Sequence, residues 1–250
     1  MPSIDINCDM GESFGAWVMG QDSELMPHIT AANIACGFHA GDPDVMLATV
    51  RAAIKHKVAI GAHPGLPDLQ GFGRRVMAMT ADEVYALVVY QVGALQAMAR
   101  SQGGQLHHVK THGALYNMTA RDPALADAVA RAVADVDPAL PIYVANAPIA
   151  KATLDRGLTA IYEVYADRTY QDDGTLTPRS QPHAMIEDVD QAITQVKRMV
   201  KEGVVRALSG KDVPIKADTL CIHGDQPGAA VFARDIRAAL QAEGIEVRTV

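Results

Sequence analysis

The stretch Ile4-Asp5-Ile6-Asn7-Cys8-Asp9-Met10-Gly11-Glu12 decides how the chain is read: a short strand running straight into a polar, glycine-containing turn. Side chains alternate faces along a strand, so Ile4, Ile6 and Cys8 share one side while Asp5, Asn7 and Asp9 share the other. That second face is too polar for an ordinary core, because polar groups buried without partners cost several kcal/mol. Together with Glu12 just past the strand, it needs water, a metal, a cation or a substrate.

The arrangement recurs down the chain. A second strand is expected over 29–38, closed by His39-Ala40-Gly41-Asp42, and a third over 58–62, closed by His63-Pro64-Gly65. A strand from Leu106 carries His108 and Lys110 on one face and ends at His112-Gly113-Ala114-Leu115-Tyr116-Asn117. Further strands over 141–145, 159–164 and 218–222 end at Asn146, at the run containing Asp167-Arg168, and at His223-Gly224-Asp225. Helix starts lie between them. Asp42-Pro43 and Asp122-Pro123 place a capping carboxylate before a first-turn proline, Thr80 with Glu83 forms a capping box, and Asp225 is expected to cap the last long helix. Residues 246–249 read as a terminal strand, and the aperiodic run 177–183 as a lid.

Strictly alternating strands and helices imply parallel strands with crossover helices. At 250 residues and 49% hydrophobic content the chain can bury a full core, and no linker divides it. One α/β barrel domain over 1–250 is therefore expected. A formal charge of −7 argues against a nucleic-acid surface. The three cysteines, Cys8, Cys36 and Cys221, are odd in number and fall in expected strands, which suits buried free thiols in a reducing cytosol. An acid by the fifth residue, and no apolar run approaching the roughly 18 residues of a membrane span, point to a cytoplasmic protein.

In parallel α/β folds the C-terminal strand ends converge on one mouth. Here that mouth would gather Asp9, Glu12, His39, Asp42, His63, Lys110, His112, Asn146, Asp167, Arg168, His223 and Asp225. Four strand ends carry a histidine followed within two residues by Gly or Pro, a regularity that packing alone does not explain. Two chemistries compete. In one, Asp9, His39 and His63 ligate a divalent metal that activates water. In the other no metal is assigned: Asp9 and the histidines act as acid and base, while Lys110 with Arg74 or Arg168 holds a carboxylate or an oxyanion. Arg74 and Arg75 close a glycine-punctuated loop, 67–75, built to meet an anion or a neighbouring carboxylate.

The runs INCDMGESFG, ANIACGFHAGD, GAHPGLPDLQGFGRR, VKTHGALYN, EVYADRTYQDDGTLTPRS and CIHGDQPGA resemble, in order and across nearly the whole chain, the LamB/YcsF family. The resemblance implies an irregular (β/α)7 TIM-like barrel of the glycoside hydrolase/deacetylase type. It also implies the part of the A subunit in 5-oxoprolinase, which opens the lactam 5-oxoproline to L-glutamate with ATP as co-substrate of a complex that includes B and C subunits. The family's motif positions fall on Asn7, Asp9, Glu12, His39, Asp42, His63, Arg74, Arg75, Lys110, His112, Asn117, Asp167, Arg168, His223 and Asp225. Of these, we expect Asp9, His39, His63, Lys110, His112 and His223 to be catalytic, and Asn7, Glu12, Arg74, Arg75, Asn117, Arg168 and Asp225 to surround the substrate. Pro182-His183 stands where the family tends to have Pro-Gly, Thr111 where it often has proline, and Leu66 where it often has an aromatic. The competing expectations are a stand-alone metal-dependent deacetylase or amidohydrolase, and a non-catalytic ligand-binding subunit.

Overall fold

A computed structural model describes residues 1–145, 147–224 and 228–250. Its strands are β1 (Ser3–Met10), β2 (Ala31–Ala35), β3 (Ala59–His63), β4 (Leu106–Val109), β5 (Ile142–Val144), β6 (Ala160–Tyr165), β7 (Val204–Arg206), β8 (Asp212–Pro214), β9 (Thr219–Ile222) and β10 (Glu246–Val247). The helices are α1 (Asp22–Leu25), α2 (Pro43–His56), α3 (Ala81–Ser101), α4 (Gly113–Thr119), α5 (Pro123–Val136), α6 (Ala147–Asp155), α7 (Val189–Glu202) and α8 (Ala229–Ala242). Among the described residues, β1 to β6 and β9 pair in parallel in that order, and β9 returns to β1. The result is the expected closed seven-stranded barrel.

The local signals act as written. Asp42 accepts from the backbone of Asp44 and Val45 ahead of Pro43, Asp122 does the same for Ala124 and Leu125, and Thr80 with Glu83 completes a reciprocal capping box. α7 ends at Gly203, which takes the left-handed conformation at φ +68°. The outer faces of the strands, with Ile4, Ile6, Cys8, Met10 and Ile34, pack against the helices in the hydrophobic core. All three cysteines are free and buried.

Several expectations needed correction. β2 covers only Ala31–Ala35, because Ile29 still caps a 3-10 turn and Gly37, at φ +87°, bends the chain away beyond the ladder. The cap of α8 is Gly228, with Asp225 itself outside the described residues. β10 pairs with Ser3 and Ile4, extending the start of β1 without joining the closed ring. The β7–β8 hairpin was not foreseen. The ends of the insertion that holds the run 177–183 are anchored, with bridges joining Arg168 to Met185 and Tyr170 to Leu176 and with Thr177 and Ile186 buried, while residues 178–183 themselves are exposed.

The barrel interior is polar, which sets it apart from barrels filled by branched apolar side chains. Asp5, Asn7, Asn33, His108 and Thr219 are wholly buried. Each finds partners, as buried polar groups must. Asp5 accepts from the hydroxyls of Thr30, Thr219 and Tyr143, while Asn33 bridges Asn7, Asp9 and His108. His108 can enter only because β3 carries Gly61 beside it; a Cβ there would lie 2.0 Å from the imidazole.

Candidate active site

Above this interior, at the C-terminal strand ends, a cavity of about 240 Å³ opens between Asp9, His63, Arg74, Lys110, His112, Tyr116, Asn117, Tyr165, Arg168, Arg179, Cys221 and His223. It is smaller than the roughly 300–1,000 Å³ of pockets for drug-sized ligands, which suits a compact metabolite.

Lys110 is its centre of charge. The Nζ atom lies 2.8 Å from Glu163 Oε1 and donates at 3.1 Å to Asp9 Oδ1 and at 3.1 Å to Asn7 Oδ1. Burial alone would lower the Lys110 pKa. Asp9, the Cys221 sulfur and Glu163 outweigh it and push the ammonium well above its ordinary range, so Lys110 stays charged. Burial would likewise raise the Asp9 carboxyl, yet His63 and Lys110 hold it well below the usual carboxylate range. Asp9 is consequently a fixed anion and a weak proton acceptor. Glu163 is positioned in turn by Tyr116 and Tyr165, whose hydroxyls donate to Oε2 at 3.0 and 2.7 Å.

The histidines form a second cluster. His63 Nδ1 donates to the Lys110 carbonyl at 2.8 Å and His112 Nε2 to the Phe72 carbonyl at 2.8 Å. Their remaining ring nitrogens, His63 Nε2 and His112 Nδ1, face each other at 3.0 Å, with Asp9 Oδ2 3.3 Å and Glu12 Oε1 3.6 Å away. Two lone pairs cannot meet so closely without a proton or another cation between them. His39 stacks flat on His112, ring centroids 3.7 Å apart, and its Nε2 lies 3.4 Å from Glu12. Burial, reinforced by the neighbouring imidazoles, drops the His39 pKa well below its ordinary value and that of His112 to about 3. Gly73, at φ +61°, admits this stack: a Cβ would fall 2.6 Å from His39 Cβ.

A third group sits at the far rim. His223 Nδ1 donates to Asp167 Oδ2 at 2.6 Å, and Arg179 donates to His223 Nε2 at 3.0 Å.

Asp9, His63, Lys110, His112, His223, Arg74, Asn117 and Arg168 thus come together at the mouth as the sequence suggested. The others do not. His39 lies wholly buried behind His112, Asn7 one layer below the cavity, and Asp42, half-buried, in its helix cap. Arg75 turns aside into an ion pair with Asp68. Asn146 and Asp225 lie outside the described residues. Among the described residues, Glu12, His39, His63 and His112 form a group that could hold a cation, with ligand atoms within 4.8 Å of one another; it shares His39 and His63 with the expected set of Asp9, His39 and His63. Sequence reasoning missed Glu163, Tyr116, Tyr165 and Arg179. The signal for two of them was present: in β6, period two puts Glu163 and Tyr165 on one face.

The LamB/YcsF family model matches residues 4–250. The chain is 90% identical to a 5-oxoprolinase A subunit of Bordetella bronchiseptica, with 100% of both chains covered. It is 57% identical to the 5-oxoprolinase A subunit of Bacillus subtilis, covering 100% of this chain and 98% of the other. Among solved structures, a lactam utilization protein from Thermus thermophilus superposes with a TM-score of 0.96 at 48% identity, covering 99% of this chain and 100% of that one. No helix among the described residues is long and apolar enough to cross a membrane.

Proposed function

The chain belongs to the LamB/YcsF family, and we propose that it works as the A-type subunit of an ATP-dependent 5-oxoprolinase, its barrel serving as one catalytic domain that opens 5-oxoproline to L-glutamate. The observation that carries this reading is Lys110, a permanently charged donor held between Asp9 and Glu163 on the wall of a small pocket. A lactam is resonance-stabilised, and its opening requires negative charge to develop on the carbonyl oxygen. A fixed ammonium on the cavity wall stabilises that charge electrostatically. Arg74 adds positive charge for the substrate's carboxylate, whereas Arg168, although it lines the pocket, gives its hydrogen bonds to the carbonyls of Thr177 and Ala184; Asn117 lines the same cavity. Asp9 anchors Lys110 and His63, which leaves the proton from water to a histidine.

Near-balanced lactam opening needs coupling to ATP, and the chain has no G-x-x-x-x-G-K-[ST] loop to cradle phosphates. ATP use is therefore assigned to the complex, with companion B and C subunits as the place of activation. The test is reconstitution: the chain mixed with B and C subunits, ATP and 5-oxoproline should yield glutamate, and the chain with ATP alone should yield none. Glutamate from the isolated chain would end this division of labour.

The facing nitrogens of His63 and His112 favour a second reading, a divalent metal held by Glu12, His39, His63 and His112. The donor set suits zinc, although ligand atoms up to 4.8 Å apart must draw together to sit about 2.0–2.2 Å from one ion. Such an ion would polarise the substrate carbonyl. Metal analysis of the purified chain, with activity measured after chelation, separates the readings: a stoichiometric metal and chelator-sensitive glutamate formation select the metal, and full activity of metal-free protein selects a shared proton.

A further inference from the structure

The rim group of Asp167, His223 and Arg179 is built like a base with a cover. Asp167 Oδ2 takes the Nδ1 proton of His223 at 2.6 Å, which fixes the tautomer and leaves Nε2 as an acceptor. A carboxylate behind an imidazole also stabilises the imidazolium that forms when Nε2 gains a proton. The acceptor is occupied, however, by an Nη2 hydrogen of Arg179 at 3.0 Å.

The cover is loosely held. Arg179 is exposed, and among the described residues its hydrogen bond to His223 is the one that restrains its guanidinium. Cavities open on both sides of it, the mouth pocket and a groove of about 740 Å³ lined by Met185, Ile186 and Phe232. The neighbouring Arg168 is spent on the carbonyls of Thr177 and Ala184, which pin the same insertion to the barrel. Burial first, and then the charge of Arg179, depress the Arg168 pKa, while the Asp167 carboxylate acts the other way. A guanidinium that donates to a neutral imidazole gains less than one that grips a carboxylate or phosphate through two parallel hydrogen bonds.

We infer that Arg179 is an anion-reading cover on His223: an anionic group on the substrate draws the guanidinium off Nε2, and His223, oriented by Asp167, then serves as the general base for water. This rests on the lactam-opening reading above. As the water oxygen bonds to the ring carbonyl carbon, one of its protons passes to His223 Nε2. When the C–N bond breaks, that proton returns to the ring nitrogen, which leaves as the amine of the product. The anion is either the carboxylate that 5-oxoproline carries or a phosphoryl group placed on the lactam oxygen from ATP; in the second case C–N cleavage leaves an acyl phosphate, and a second water releases inorganic phosphate from it to give the product carboxylate. The base sits idle until one of them is present.

The test uses the chain reconstituted with B and C subunits and ATP, with 5-oxoproline and 2-pyrrolidinone, the same lactam without its carboxylate, as alternative substrates. Wild-type glutamate formation is the control; its absence counts against the lactam-opening reading itself. Given that control, His223→Gln should lower kcat by about 100-fold or more, the usual scale of general-base catalysis, with an unchanged melting curve. Asp167→Asn, which permits the wrong tautomer, should lower kcat with KM preserved. Retention of kcat within about threefold in both variants would overturn the assignment of the base, since general-base loss costs at least about 100-fold. For Arg179→Gln, a fall of about tenfold, or 1.4 kcal/mol, in kcat/KM for 5-oxoproline relative to 2-pyrrolidinone marks the carboxylate as the anion read. A parallel fall for both lactams marks the phosphoryl group, and no change for either would overturn the cover.

Discussion

Lys110 Nζ lies 2.8 Å from Glu163 Oε1, and the barrel leaves the glutamate side chain no exposure to solvent. With Asp9 on its other side, the ammonium is pinned between two carboxylates contributed by strands β1 and β6. A lysine so held remains a charged donor, which suits oxyanion stabilisation and excludes service as a neutral amine nucleophile.

Glu163→Gln tests this arrangement. Lys110 keeps Asp9, so the fold should survive with a loss of about 1–3 kcal/mol, the scale of one buried charged hydrogen bond. Turnover in the reconstituted complex should fall by at least about tenfold, because the ammonium is then drawn toward Asp9 and off its aim by about 1.4 kcal/mol or more. Urea denaturation and glutamate formation measure the two effects. Wild-type turnover would remove Glu163 from the site.

Asp9→Asn should abolish turnover and lower stability by about 1–3 kcal/mol, the scale of the Glu163 change, since Lys110 loses one of its two carboxylates. Asn is nearly isosteric and keeps an Oδ1 acceptor for Lys110 and Asn33, but it carries no charge to hold the His63 side of the pocket. A lowered melting temperature with activity preserved would place Asp9 in the scaffold alone.

His183 adopts φ +60°, in the left-handed region that favours glycine, and its carbonyl accepts from Thr169 Oγ1 at 2.8 Å. The left-handed region costs most residues roughly 1–2 kcal/mol, and glycine in turn loses about 0.5–1 kcal/mol of chain entropy. His183→Gly should therefore match the wild type or exceed it by up to about 1 kcal/mol, whereas His183→Val should lose about 1–2 kcal/mol. Chemical denaturation of the two variants gives the order, and a glycine variant less stable than the valine one would refute the strain.

Asp5 supplies the pH test. Burial raises its pKa above 3.8, despite hydrogen bonds from Thr219, Thr30 and Tyr143 that act the other way. The native state therefore holds this proton more tightly than the unfolded chain, so its contribution to stability is full below pH 3.8 and is lost as pH rises through the native value. Asp5→Asn removes that loss. The stability of the variant relative to wild type should improve as pH rises from about 4 through the native value and then level off, read from urea midpoints at each pH. A difference independent of pH would show that Asp5 does not titrate in this way.

The sequence alone determined what local chemistry controls. Caps at Asp42, Thr80 and Asp122 start helices because a side-chain oxygen within three residues meets the free backbone N–H groups, and period two in β1 sends Asp5, Asn7 and Asp9 inward. From these the alternation, the barrel and a mouth rich in histidine could all be read. Which inward side chain meets which was decided only by barrel closure. Lys110 meets Glu163 from 53 residues away in sequence and Asp9 from 101, and no local rule links them. The same holds for two neighbouring arginines of one type: closure left Arg74 on the pocket wall and gave Arg75 to Asp68. Periodicity assigns a face, but the partner on that face depends on register, strand tilt and the space that glycines such as Gly61 and Gly73 leave open, and those exist only in the folded chain.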